Sequence, residues 1–137
     1  MKRLKVTLII LTIIVLLGFG SKFYQGICAD LVNNSFSGVF YEIFWCFIVF
    51  LIFRKISPSA IAIIIFITTS ILEFLQLWKT PFLEIIRSNF IGRTLIGTSF
   101  VWTDFLYYLI GCIISVFLMR WVLCKISGSG STIKNLL

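Results

Sequence analysis

The sequence predicts an all-α integral membrane protein: four transmembrane helices with a short interfacial helix or re-entrant link between the third and fourth. The 137 residues are 60% hydrophobic and only 12% charged, about half the charged share of an ordinary soluble domain. Mean hydropathy is +1.11. Four apolar stretches each approach the roughly 20 residues that a spanning helix needs. Little but short connections remains, so residues 1–137 form a single polytopic membrane domain.

The first helix is expected over about 4–20. Lys2, Arg3 and Lys5 precede an apolar run from Val6 to Phe19, and Lys5 can join the helix by snorkelling its ammonium toward water. A basic start, a short apolar core and small residues at Gly18, Gly20 and Ser21 also suit a cleaved signal peptide. The site is not A-x-A-like, which favours a retained helix. Ser21 to Ser35, with Lys22, Asp30 and Asn33-Asn34-Ser35, has the composition of a loop with a short interfacial turn.

The second helix is expected over about 36–53, with Glu42 near its start and Arg54-Lys55 as its stop. Pro58 opens the third, about 58–78, at a position where proline costs a helix nothing. Thr69, Glu73, Gln76 and Thr80 then fall at i, i+4, i+7 and i+11, one stripe of a helix. Thr80-Pro81 is a helix start with threonine as N-cap, and Gly92 a plausible stop. Between them Phe82, Leu83, Ile86 and Phe90 oppose Glu84, Arg87 and Ser88, which predicts an interfacial helix over about 81–91. Gly92 to Ser99 would be a tight return, with Gly92 and Gly97 as turn residues. The fourth helix, about 101–124, repeats the i, i+4, i+7, i+11 spacing in Asp104, Tyr108, Gly111 and Ser115. Gly111-x-x-x-Ser115 lets two helices approach closely. The glycine-serine stretch from Ser127 opens an expected flexible tail, 127–137.

The net charge is +7, but the basic residues flank apolar runs instead of gathering on one solvated face, so nucleic acid is not an expected partner. Membrane lipids are. With the N-terminus inside, eight lysines and arginines fall on the cytoplasmic side and four outside. That bias predicts a multi-pass protein of a bacterial cytoplasmic (inner) membrane with both termini inside. There is no histidine, and the four cysteines form no C-x-x-C. The usual zinc sites and Cys/His or Ser/His pairs are thereby removed, and no metal, cofactor or catalytic residue is assigned. Cysteines within apolar runs read as small buried hydrophobes.

In that topology Asp30, Glu42, Glu73, Glu84 and Asp104 all lie in the outer half or the outer connections. The expected polar cluster is Glu42, Glu73, Gln76, Arg87, Trp102, Asp104 and Tyr108. A carboxylate within a bilayer normally faces a partner or a water-filled cavity. The cluster has two readings. In one, Glu73, Asp104 and Arg87 form ion pairs that fasten the interfacial helix to the bundle. In the other, carboxylates, Gln76, arginine and tyrosine line an outward pocket for a lipid headgroup, phosphate or peptide-like ligand, with Arg87 as the anion contact.

Glu73-x-x-Gln76-Leu77, Pro81, Ile86-Arg87, Gly92, Gly97, Phe100, Trp102, Asp104, Tyr108 and Gly111 stand in one ungapped register. In them the chain resembles an uncharacterised bacterial membrane-protein family, domain of unknown function 2809, with a more distant similarity to VanZ-like proteins. The resemblance runs from about Gly18 to Gly111, and Gly20-Ser21-Lys22 and Tyr24 resemble the family's opening motif. Tyr41-Glu42 stands where that family usually has Gly-Asp, keeping the carboxylate without the flexible turn. Arg93 replaces a commonly small residue, so no shared role is carried onto it. The resemblance implies a small polytopic membrane protein with no established reaction, and a faint association with the cell envelope.

Three functions follow from these features. One is a non-enzymatic inner-membrane protein whose acidic and arginine cluster binds an envelope ligand or partner membrane protein. Another is a membrane-embedded enzyme acting on a lipid-linked phosphate or glycan, with Glu73 and Asp104 as acid and base and Arg87 as clamp. The last is a structural or assembly subunit of a membrane complex, for which Gly111 would mediate contact with another chain.

Overall fold

A computed structural model describes residues 2–96 and 100–134. Every regular element among them is helical. Helix α1 is Lys2–Lys22, α2 is the single turn Ala29–Leu31, α3 is Ser37–Ile52 and α4 is Pro58–Leu77. The short α5, Pro81–Ser88, and α6, Phe90–Ile96, precede the long α7, Thr103–Lys134. Three helical segments are long and apolar enough to cross a membrane: Lys2–Lys22, Pro58–Leu77 and Thr103–Gly128. The apolar α3 is shorter.

Helix α3 does not begin abruptly. Helix α2, a π-helical turn over Val32–Phe36 and α3 follow one another without a break, with 3, 5 and 16 residues, 24 in all. Helical backbone thus runs back into the stretch that the sequence assigns to a loop. The wider π turn takes up the polar Asn33-Asn34-Ser35 run without ending the helix, and Asn33 Nδ2 donates to the Tyr24 carbonyl at 3.3 Å.

The expected proline starts are seen. Ser57 caps α4, its hydroxyl accepting from the Ala60 amide at 3.3 Å with Pro58 in the first turn. Thr80 caps α5, accepting from the Leu83 amide at 3.4 Å ahead of Pro81. Each cap occupies an amide that the first helical turn leaves without an intrahelical acceptor.

The link between α4 and α7 differs from expectation. The single interfacial helix over 81–91 is instead two, broken where Asn89 turns extended, and α6 folds back on α5. Gly92 does not stop a helix: it lies inside α6, buried. A Cβ there would collide with the Ile86 carbonyl oxygen, so only glycine lets the two short helices come so close. Gly97 lies outside the described residues. Helix α7 continues to Lys134 through the glycine-serine stretch from Ser127, where the flexible tail is expected. Once a long helix is nucleated, adding each further residue carries no new nucleation cost, even through glycine and serine.

Helix α3 is central, packing against α1, α4 and α7. Leu11 and Ile14 of α1, Phe47 and Phe50 of α3, Ile61 and Ile65 of α4, and Met119 and Val122 of α7 share the buried core. Exposed leucines, isoleucines and phenylalanines cover the outer faces of α1, α4 and α7, as hydrocarbon around a spanning bundle allows. At one end the bundle is basic. The Arg3 guanidinium donates to the Phe50 carbonyl at 3.0 Å and the Arg54 carbonyl at 3.2 Å, and lies 3.9 Å over the Phe50 ring. Arg120 bonds Ser59 at 3.1 Å nearby. The carboxylates sit toward the other end.

Candidate functional site

Two buried carboxylates form a ladder between α3, α4 and α7. On α4, Thr69 and Glu73 are one turn apart on one face; Tyr108 and Cys112 hold the same relation on α7. Glu42 enters from α3. A Cβ on Gly111 would lie 2.8 Å from Glu42 Cβ and 2.9 Å from the Val39 carbonyl oxygen. The absence of a side chain at that position therefore brings α7 against α3 and the two rungs together.

The Glu73 rung is saturated. Its side chain is 1% exposed. Oε2 accepts from Gln76 Nε2 at 2.8 Å and from the Tyr108 hydroxyl at 3.1 Å, and Oε1 accepts from the Val101 amide at 3.2 Å. Every donor is neutral. The carboxylate thus ties α4 to α7 and to the chain just before α7.

The Glu42 rung is under-supplied. Glu42 is wholly buried, and Oε1 lies 3.2 Å from both the Thr69 hydroxyl and the Cys112 thiol. Thr69 shares its single hydrogen with the Ile65 and Phe66 carbonyls, at 3.0 and 3.1 Å, and Cys112 shares its own with the Ala62 carbonyl at 3.3 Å. Oε2 has no partner among the described residues. A buried acceptor left this way loses the full value of its hydration.

The structure brings five of the seven expected residues together. Glu73, Gln76 and Tyr108 are bonded, and Tyr108 lies within electrostatic reach of Glu73, Asp104 and Glu42. Asp104, half-buried in the first turn of α7, is near enough to feel the Glu73 charge. Trp102 stands apart, 71% exposed. Its ring meets Phe100 at 4.9 Å and Phe105 at 5.9 Å, in an aromatic group that includes Phe74. Arg87 pairs with neither carboxylate. Its Nη2 donates to the Leu75 carbonyl at 3.2 Å, and Nε is buried without an acceptor. The ion-pair fastener is thus replaced by a neutral one: Gln76, Tyr108 and a backbone amide hold Glu73. Of the other acids, Asp30 and Glu84 are exposed and take no part.

Sequence reasoning missed Cys112, taken only as a small hydrophobe. Its spacing of four from Tyr108, on the polar face of α7, is the available signal. It also missed the Val101 amide, for which no side-chain pattern exists. Among the described residues no group of three or more His, Cys, Asp or Glu side chains is arranged to hold a metal ion.

The family described as "Protein of unknown function (DUF2809)" matches residues 27–112, well over half of the chain. The chain belongs to this family. The DUF2809 match contains both rungs of the ladder and the whole α5–α6 link, while Gly18 to Gly26, included in the expected resemblance, falls outside it. No solved structure matches the chain.

Proposed function

We propose that this DUF2809 member is a four-span, non-enzymatic protein of the bacterial inner membrane, with both termini cytoplasmic. Its ladder fastens the outer end of the bundle, and Arg87 contacts the anionic headgroup of an envelope lipid. The observation that carries the ligand is the state of Arg87. A guanidinium offers five N–H donors, yet among the described residues this one makes a single bond, to the Leu75 carbonyl, and pairs with no carboxylate. A cation half-buried at an interface gains most from a phosphate, which it grips in a planar, charge-assisted fork.

The neighbouring surface suits the rest of such a molecule. Ile85, Ile86, Asn89, Phe90, Ile91 and Gly92 line an open, largely apolar cleft of about 580 Å³ on the same α5–α6 pair that carries Arg87, suited to an acyl chain. Four spans are supported by the continuous helical run Ala29–Ile52, about 35 Å long at the α-helical rise, against a hydrocarbon core of about 30 Å. The basic end built from Arg3, Arg54 and Arg120 is the cytoplasmic one by the positive-inside bias. An acid–base enzyme is disfavoured because both oxygens of Glu73 are occupied in a structural network.

The test is native mass spectrometry of the full-length protein in mild detergent, titrated with phosphatidylglycerol, phosphatidylcholine and inorganic phosphate. Wild type should retain phosphatidylglycerol over phosphatidylcholine. Arg87→Gln should lose about tenfold of that retention, the size of one charge-assisted hydrogen bond, with unchanged thermal stability. Binding of inorganic phosphate at the same Arg87-dependent strength would point to a free anion instead. Equal phosphatidylglycerol retention by a folded Arg87→Gln protein would refute the assignment.

A further inference from the structure

At the Glu42 rung lie two thiols, Cys112, which contacts the carboxylate, and Cys46 beside it. Cys46 follows Glu42 by one turn of α3, and Cys112 follows Gly111 on α7. Both are buried, at 0% and 6% exposure, and both are free thiols. The Cys46 thiol is within hydrogen-bonding reach of the Cys112 thiol. Gly111 lets α7 approach α3 closely here, with a Cβ there meeting the Val39 carbonyl oxygen at 2.9 Å. A disulfide usually needs its two Cα atoms about 4.4–6.8 Å apart, and the close approach at Gly111 lies one residue from Cys112 and, at Glu42, one turn from Cys46. The third group is the Glu42 carboxylate, whose Oε1 lies 3.2 Å from Cys112 Sγ.

We propose that Cys46 and Cys112 are an oxidisable dithiol, converted to an α3–α7 disulfide by a small neutral peroxide, with Glu42 as proton acceptor for Cys112. In the first step Glu42 Oε1 takes the thiol proton as the Cys112 sulfur attacks one peroxide oxygen. An S–O bond forms, the O–O bond breaks, and the leaving hydroxide receives the proton and departs as water. Cys112 is then a sulfenic acid, whose hydroxyl finds the unpartnered Glu42 Oε2 nearby. In the second step the Cys46 sulfur attacks the Cys112 sulfur, the S–S bond forms, the S–O bond breaks, and hydroxide leaves with the Cys46 proton as a second water. Two thiols lose two protons and two electrons, and one peroxide is reduced to two waters.

The geometry assigns the roles. Cys112, not Cys46, carries the contact to the carboxylate, so Cys112 attacks and Cys46 resolves. The oxidant is small and uncharged because the pair is enclosed by α3, α4 and α7, where a protein disulfide cannot reach. Oxidation also removes the Cys112 hydrogen from Glu42, so it acts on the ladder as well as joining two helices.

The experiment uses the full-length protein in proteoliposomes exposed to hydrogen peroxide, then alkylated, digested and read by mass spectrometry. Cys28 and Cys124 are the internal controls, being exposed. The expected result is a peptide pair linked through Cys46 and Cys112, two hydrogens lighter than its reduced parts. Cys46→Ser should instead leave a dimedone-reactive sulfenic acid on Cys112, and Cys112→Ser should leave Cys46 reduced. Glu42→Gln should slow linkage by roughly a hundredfold, the low end of a general-base contribution, without lowering its end point. Wild-type protein in which Cys28 and Cys124 oxidise while Cys46 and Cys112 stay reduced overturns the proposal without relying on any variant. A sulfenic acid confined to Cys46 in wild type would overturn the assignment of roles.

Discussion

Glu73 Oε2 accepts a 3.1 Å hydrogen bond from the Tyr108 hydroxyl, joining residues 35 positions apart and tying the end of α4 to the start of α7. The same carboxylate takes the Val101 amide, so one side chain orders both the helix and its approach. Replacing Tyr108 by Phe leaves the shape and removes the donor. Loss of a bond to a carboxylate should cost about 1.5–3 kcal/mol, read as a lower unfolding midpoint in detergent. Glu73→Ala should cost more, because three donors lose their acceptor together. The double variant Tyr108→Phe/Glu73→Ala should be no worse than Glu73→Ala, as groups in one network are not additive.

Gly111 distinguishes a subunit contact from an internal one. A leucine there would drive into Val39 and Glu42 of the same chain. Overpacking of that kind costs about 1–3 kcal/mol. Gly111→Leu should therefore lower the yield of folded monomer on size-exclusion chromatography. Normal monomer with lost co-purification of another protein would instead favour the subunit reading.

Gly92 should act locally. In Gly92→Ala the added methyl meets the Ile86 carbonyl, so α6 must lift from α5. Hydrogen exchange over residues 81–96 should accelerate while the exchange of α3 and the core of α7 stays unchanged, because among the described residues α6 packs against α4 and neither short helix packs against α3.

Arg3 closes the basic end. Arg3→Ala removes two bonds to carbonyls after and within the last turn of α3, together with the contact over Phe50. A cation at a helix C-terminus is worth about 0.3–1 kcal/mol, and a cation–π contact of this kind about 0.5–1 kcal/mol more. A fall in the unfolding midpoint that Arg3→Lys recovers only in part is the expected outcome, since lysine lacks the planar fork.

Orientation can be read from a native residue. Cys28 is exposed, just before the helical run that begins at Ala29. A membrane-impermeant maleimide added to intact spheroplasts should label it, and Cys28→Ser should abolish that labelling. Labelling of Cys28 only after lysis would reverse the topology.

The helical, membrane-embedded character was legible because it depends on composition and length: long apolar runs bounded by basic residues have few alternatives when each backbone polar group must be satisfied within lipid. The starts at Pro58 and Thr80-Pro81 were legible because proline's place in a first turn and threonine capping are local, while the Ser57 cap was seen only in the structure. The stripe of Thr69, Glu73 and Gln76, and that of Asp104, Tyr108 and Gly111, were legible as faces of single helices. What they would meet was not. Periodicity places Glu73 on a face, but whether it takes an arginine or a tyrosine depends on how α7 packs against α4, which spacing along the chain does not fix.

The sequence by itself determined the chemistry available to this protein: apolar helices, a few intramembrane polar groups and an excess of cations at one end. Tertiary structure alone decided that Glu73 is saturated by neutral donors, that Glu42 is left short beside two thiols, and that Arg87 turns to the Leu75 carbonyl instead of a carboxylate among the described residues. The reason is physical. Hydrogen bonds act over about 3 Å, and which groups come within that distance is set by how separate helices pack, not by spacing along the chain.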